Sequence, residues 1–358
     1  MNPSFWEGKR VFISGHTGFK GSWLSLWLCS MGAEVTGYAL APNTKPSLFE
    51  LANIKTQLVN VEGDVRNIDG LFDALRESEP EIVFHLAAQP LVRISYDDPL
   101  LTYQTNVMGT VNLLECIRRL KTPCSLINVT TDKCYENKEW HRGYREIDPL
   151  GGFDPYSNSK ACSELVTSSY RDSFFHPSKF RAHQVAIATA RAGNVIGGGD
   201  WSTDRLIPDV LKALEHNQIL EIRYPHAVRP WQHVLDPIYG YLLLAEKLYY
   251  GGTEYGKAWN FGPSDKDVCT VAEVANKLSE LWGNKQPWRV APGLHPHETN
   301  YLSLDTSLAR KELGWKPILS TDNAFKLVVD WERSRLRRDD VLHTSLQQIG
   351  DYQQLVNH

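Results

Sequence analysis

The stretch 11–21, V-F-I-S-G-H-T-G-F-K-G, constrains this chain more than any other. Residues rich in β-formers end at Gly15, glycines recur three apart at Gly18 and Gly21, and the apolar run 23–31 then reads as a helix. Gly15 permits a tight turn, Gly18 lets the backbone approach a ligand where a Cβ would clash, and Gly21 allows helix to pack closely on strand. The free N–H groups of the helix start suit a pyrophosphate. The spacing therefore predicts a βαβ unit that binds a dinucleotide.

With 358 residues the chain can bury a large core and carry a second portion beside that unit. A formal net charge of −4 and a pI near 6.3, with no Lys/Arg-rich run, supply no field for nucleic acid or a membrane surface. Nothing approaches the roughly twenty apolar residues of a membrane span, and residues 1–10 lack the pattern of a signal peptide, so a cytoplasmic protein is expected. Cys29, Cys116, Cys124, Cys134, Cys162 and Cys269 fall at irregular positions without metal-ligand spacing. Reduced thiols, and no metal, are the reading.

Strand patterns at 35–40, 58–62, 82–87, 125–129 and 185–190 alternate with helical patterns at 68–78, 100–120 and 156–174. Such alternation predicts an α/β, Rossmann-like, doubly wound parallel sheet with its ligand at the carboxyl ends of the strands. Residues 1–190 form the expected cofactor domain. Beyond 190 the texture shifts to Gly/Pro-rich loops and shorter elements, so 191–358 reads as a smaller mixed α/β substrate-binding domain, with a segment near 230–260 returning to the first. The polar tail 334–358, containing R-L-R-R-D-D, is expected to be a solvated helix or a frayed end.

Tyr156 and Lys160 share one face of a helix opened by Asp154 and Pro155, because residues four apart are stacked neighbours. To act as a base near neutrality a phenol of pKa about 10 must be lowered by roughly three units, or about 4 kcal/mol of preferential phenolate stabilisation. A nearby ammonium and a positive cofactor ring can supply that. The end of the second strand reads G-Y-A-L-A-P and lacks the carboxylate that usually holds the adenosine ribose.

The G-x-x-G-x-x-G spacing, with His16, Thr17 and Phe19 inside it, resembles the short-chain dehydrogenase/reductase superfamily. That resemblance implies NAD, with Asp64 and Val65 at the adenine, Leu86, Ala87, Ala88 and Asn106 lining the cofactor, and Thr131, Tyr156 and Lys160 as the hydroxyl, phenol and ammonium of the catalytic triad. Thr131-Asp132-Lys133-Cys134-Tyr135 resembles the T-D-E-x-Y motif of nucleotide-sugar 4,6-dehydratases, with lysine for the usual glutamate. Together with G-H-T-G-F-K-G-S-W-L at 15–24, R-P-W-Q-H-V at 229–234 and L-G-W-K-P at 313–317, it is most similar to the members that use CDP-glucose.

The resemblance implies oxidation at C4 by NAD, loss of water across C5 and C6, and hydride return to C6, with a product that in bacteria with related enzymes feeds dideoxyhexose synthesis for lipopolysaccharide. Asp132 would protonate the leaving 6-hydroxyl. Lys133 is the favoured base for C5, with His16 the alternative. Asn194 and Arg229 match positions that hold the substrate pyrophosphate, and Arg205 and Lys212 could add charge. A 4-epimerase would share the cofactor and Tyr156 but not need Asp132. Apolar positions along 100–120 and 156–174, among them Tyr103, Val107, Val111 and Leu114, predict helix pairing into a homodimer or homotetramer.

Overall fold

β1 (Arg10–Ser14) is apolar on both faces and is covered on both, with Val11, Phe12 and Ile13 at most 1% exposed. The structure, a computed structural model, describes residues 1–264, 268–283, 288–293 and 301–357. After β1 come α1 (Phe19–Ser30), β2 (Glu34–Ala39), α2 (Leu48–Leu51), β3 (Val59–Glu62), α3 (Ile68–Ser78) and β4 (Ile82–His85). The chain continues through α4 (Val92–Asp97), α5 (Pro99–Tyr103), α6 (Gly109–Leu120), β5 (Cys124–Val129), α7 (Pro155–Ser173), α8 (Phe180–His183) and β6 (Val185–Ala192). Asn67 and Asp154 cap α3 and α7 by accepting from first-turn amides, which explains why both starts were legible.

The second half contributes β7 (Asn194–Ile196), α9 (Leu206–Glu215), β8 (Leu220–Ile222), β9 (Val228–His233), α10 (Leu235–Gly251) and β10 (Ala258–Phe261). It ends with β11 (Val268–Thr270), α11 (Val271–Trp282), β12 (Trp288–Val290), α12 (Thr321–Leu336) and α13 (Val341–Asn357).

Seven parallel strands make the central sheet in the order β10-β6-β5-β4-β1-β2-β3, so the fold is the expected Rossmann-like one. Alternation along β1 sends Val11 and Ile13 to a core shared with α1, α10 and α13, and Phe12 to one shared with α3 and α6. The chain order reverses between β1 and β4, where a crevice opens at the carboxyl ends of the strands. The glycine loop, residues 86–89, the Thr130–Tyr135 turn and Gly193 all follow strands that end there. Beside it, β7, β9 and β11 form one small sheet and β8 and β12 another, packed with α9, α11 and α12 around Val210, Val274 and Phe325. Among the described residues no helix is long and apolar enough to cross a membrane.

Two expectations need correction. The single helix over 100–120 is α5 and α6 joined by a π-helical turn, Gln104–Met108, a widening that accompanies the inward placement of Asn106. The tail is not frayed. Val341, Ile349 and Tyr352 share one face of α13 and are buried against α1 and α10, an apolar stripe masked by a polar majority. The Tyr352 ring meets Trp27 edge-on at 5.5 Å, and its hydroxyl donates to Asp236 Oδ1 at 2.8 Å. Tyr352→Ala should therefore cost about 3 kcal/mol or more, read as a lower urea midpoint. An unchanged midpoint would mean that the tail adds nothing to the core.

Candidate active site

The glycine loop is as tight as the sequence requires. Gly15 has φ +82°, and a Cβ on it would lie 2.6 Å from the Ala87 amide nitrogen; one on Gly21 would lie 2.1 Å from the Gly15 carbonyl. Gly18 caps α1 without a side chain, and no acidic residue stands in the first turn, so the first-turn amides of α1 are left without a side-chain cap. Leu86 donates its amide to the Ser14 carbonyl at 2.9 Å, which brings Leu86, Ala87 and Ala88 alongside the loop. Thr17 Oγ1 donates to the Leu40 carbonyl at 2.9 Å, where a ribose-binding carboxylate would usually stand. Across β3, both Asp64 oxygens accept from Arg66, which holds this carboxyl below its usual range, while Val65 packs against Gly109. These residues fit a dinucleotide: free amides for its phosphates, and no room for a Cβ beneath it.

His16 and Asn106 are turned elsewhere. The His16 ring is buried against Gly37 and edge-on to Phe49, and its Nε2 lies 2.7 Å from Asn60 Oδ1. It lies on the β2–β3 side of the loop, where burial lowers its pKa, so the structure does not bring it among the groups around Tyr156. Asn106 accepts from the Gln89 amide and donates to the Gln89 carbonyl and to Ser159. Its side chain pins the segment after β4 to α7 instead of facing open space.

The other candidates converge. Asp154 and Pro155 start α7, which presents Tyr156 and Lys160 on one face toward the end of β5. Lys160 Nζ donates to the Val129 carbonyl at 3.2 Å, and burial lowers its pKa to about 8. Burial raises the Tyr156 phenol to about 12, against the pull of Arg205 and of a hydrogen bond shared with Thr131. Burial thus outweighs both, and a positive charge brought beside the phenol would lower it. Thr131 also donates to Asp132 Oδ1 at 3.0 Å, and Lys133 Nζ forms an ion pair with the same oxygen at 3.9 Å.

Asp132 is buried, and Lys133 is about one-third exposed. Opposite them, a Cβ on Gly193 would lie 2.7 Å from Asp132 Oδ2 and 3.4 Å from the Pro230 ring. Asn194 and Arg229 flank these two residues in sequence, on β7 and β9, where Asn194 pairs with Trp231. Arg205 stands at the start of α9 in an ion pair with Asp200 at 3.0 Å. Lys212 does not join the group: it is exposed, about 10 Å down α9 from Arg205.

A phenol, a buried carboxyl group and two lysine side chains thus gather at the strand ends, beside a dinucleotide cradle. The family model described as GDP-mannose 4,6 dehydratase matches residues 12–328. The chain belongs to that family. It is 51% identical over 352 residues to the CDP-glucose 4,6-dehydratase of Salmonella typhimurium, covering 98% of both chains. A solved structure of the dTDP-glucose 4,6-dehydratase of Streptomyces venezuelae, with NAD bound, superposes with a TM-score of 0.78 at 25% identity, over 93% of this chain and 99% of that one. The UDP-glucose 4-epimerase of Thermotoga maritima shares the fold, with a TM-score of 0.78 at 22% identity over 91% and 99%.

Beneath these residues lies a network that sequence reading missed. Glu164, two turns beyond Tyr156 on α7, pairs with Arg191 of β6 through Nη2 at 2.8 Å and Nε at 3.0 Å, both side chains at most 4% exposed. Glu164 also accepts from Thr130 and Thr189, and Arg191 donates to the Tyr135 hydroxyl at 2.7 Å. Mutual attraction keeps the carboxyl below and the guanidinium well above their ordinary ranges despite burial. The only signal was Glu164 at i+8 from Tyr156, and an isolated helix Glu reads as solvated. Glu164→Gln strands the guanidinium and should cost about 3–5 kcal/mol in urea unfolding. Adding Arg191→Met should recover part of that loss. A single variant as stable as the parent would show the pair to be dispensable.

Proposed function

We propose that this protein dehydrates CDP-D-glucose to CDP-4-dehydro-6-deoxy-D-glucose, with NAD restored in every cycle. The observation that carries the reading is the Asp132–Lys133 pair beside Tyr156 and Lys160. It is supported by 51% identity along nearly the whole chain to a CDP-glucose 4,6-dehydratase. NAD, when bound, takes the hydride from C4, returns it to C6, and contributes the positive ring that lowers the phenol.

Tyr156 accepts the proton of the 4-hydroxyl, and Lys160, on the same face of α7, holds the ribose and favours the phenolate. The resulting 4-ketone acidifies H5. Elimination needs an acid and a base at once, and Asp132 and Lys133 supply both when their shared proton sits on the carboxyl. Lys133 takes H5, Asp132 protonates the departing 6-hydroxyl, and water leaves. The pair is then an ammonium beside a carboxylate, 3.9 Å apart in the structure. As hydride arrives at C6, Lys133 returns its proton to C5, and a proton passing from Tyr156 to Asp132 resets the site. Asn194 and Arg229 are read as donors to the substrate diphosphate, Arg229 through a charge-assisted hydrogen bond. A cytoplasmic place at the entry to dideoxysugar synthesis for lipopolysaccharide belongs to the same reading.

Incubation with CDP-glucose should generate the alkaline absorbance of a 4-keto-6-deoxy sugar. A 4-epimerase would release CDP-galactose without that chromophore, and this outcome would replace the proposal. Lys133→Ala should still reduce bound NAD on adding substrate while losing most turnover and most exchange of H5 with solvent deuterium. Rapid H5 exchange in that variant removes Lys133 as the base.

The protein is further proposed to be a homodimer or a pair of dimers. The predicted stripe is partly spent on the core, since Leu114 is fully buried against the sheet. Leu100, Met108 and Leu165, from 49% to 73% exposed, instead leave an apolar surface along the same helices. Light scattering at micromolar concentration should give a multiple of 40.6 kDa, and a mass of one chain sinks the assembly.

A further inference from the structure

The turn that carries Asp132 and Lys133 is one foot of a closed loop. Beyond it the chain runs out and returns, the Glu136 amide donating to the Pro149 carbonyl and the Gly151 amide to the Cys134 carbonyl, each at 2.9 Å. Trp140 reads in the sequence as one aromatic among surface charges, E-N-K-E-W-H-R. In the structure it is partly buried and is the outermost of three stacked rings. Trp140 lies on Tyr144 with centroids 5.3 Å apart and planes at 14°, and Tyr144 on Tyr135 at 5.2 Å and 26°. The first and last rings each meet a guanidinium, Arg191 at 4.9 Å from the Tyr135 centroid and Arg142 at 4.1 Å from that of Trp140. Each guanidinium is paired in turn, with Glu164 in the interior and Asp148 on the loop. Tyr144 is held firmly: its hydroxyl accepts from the Lys138 amide at 2.6 Å and donates to Asn137 Oδ1 at 2.9 Å, and its backbone pairs with Ser303 and Asp305.

β5 fixes the entry to the turn, and Tyr135 fixes its exit through the ring stack and through its hydroxyl bonds to Arg191 and Asn260. Lys133 Nζ lies 3.9 Å from Asp132, too far for a hydrogen bond, so the backbone of the turn sets where the amine stands. We propose that Trp140 is a positioning residue for the dehydration step. By packing on Tyr144, and through it on Tyr135, it fixes the turn so that Lys133 and Asp132 meet C5 and the 6-hydroxyl together. The proposal rests on reading those two residues as base and acid. Tyr156 and Lys160 lie on α7, outside the stack, so oxidation at C4 does not call on Trp140. Misplacing reacting groups by about 1 Å costs on the order of a hundredfold in rate, which makes the two half-reactions separable.

Rapid mixing of the full-length protein, supplied with NAD, against CDP-glucose tests this, with reduced NAD read by absorbance and H5 exchange read in deuterium oxide. Trp140→Leu should lower kcat and H5 exchange by at least about tenfold and hold the KM for CDP-glucose within about twofold. It should also accumulate reduced NAD during turnover, because C4 is still oxidised. Trp140→Phe, which keeps a ring on Tyr144, should regain most of both rates. Trp140→Leu that exchanges H5 at the parent rate overturns the proposal. So does a variant that loses NAD reduction and H5 exchange in equal proportion, the result of a ring that only supports the fold. Where Trp140→Leu does not fold, Arg142→Met decides, since it keeps all three rings and removes the outer guanidinium: slower H5 exchange with NAD reduction intact supports the stack, and parent rates of both overturn it. Parent protein that neither reduces NAD nor exchanges H5 with CDP-glucose overturns the dehydratase reading together with the proposal.

Discussion

The buried Glu164–Arg191 pair is the interaction on which the site depends. Glu164 belongs to the helix that carries Tyr156 and Lys160, Arg191 to the strand that leads into Gly193 and Asn194, and the Tyr135 hydroxyl on Arg191 to the turn that carries Asp132 and Lys133. Three chain segments are therefore held by one buried ion pair and the hydroxyls bonded to it. A buried ion pair is weak evidence for stability, because desolvation offsets most of its attraction. Its consequence is geometric: α7 cannot slide along the sheet without exposing a carboxylate and a guanidinium to an apolar core. Asn260 extends the anchoring to β10 by accepting from Tyr135, and so ties the returning segment to the catalytic turn.

On that frame the charges are distributed by distance from the strand ends. The deep Glu164–Arg191 pair is matched, and nearer the mouth Lys133 and Arg205 are paired with Asp132 and Asp200. Burial pushes the Tyr156 phenol up to about 12. Burial thus works against the phenolate that the reaction requires. A positive cofactor ring counters this, since the cost of a buried phenolate is set by the charges near it.

Much of this was legible in the sequence, for identifiable reasons. The parallel sheet follows from apolar strands between amphipathic helices, and α3 and α7 begin where Asn67 and Asp154 offer caps. Tyr156, Lys160 and Asp132 could be found because their spacing is local to one helix and one turn. What could not be read depends on direction or on distant partners. His16 looked available as a base, yet Gly37 leaves an opening on β2 that its ring fills. Asn106 looked like a cofactor contact, yet a π-helical turn carries it inward to Gln89 and Ser159. Nothing in the tail's composition shows that Tyr352 reaches Asp236, more than a hundred residues away, and no local pattern joins Glu164 to Arg191.

In the proposed cycle, hydrogen leaves C4 of the sugar and returns to C6 of the same molecule while water departs. CDP-glucose carrying deuterium at C4, turned over in ordinary water and read by NMR of the product, tests it most directly. The expected product is a 4-keto-6-deoxy sugar with one deuterium at C6. Label still at C4 of an epimerised sugar, or a product whose C6 carries only solvent hydrogen, would contradict it.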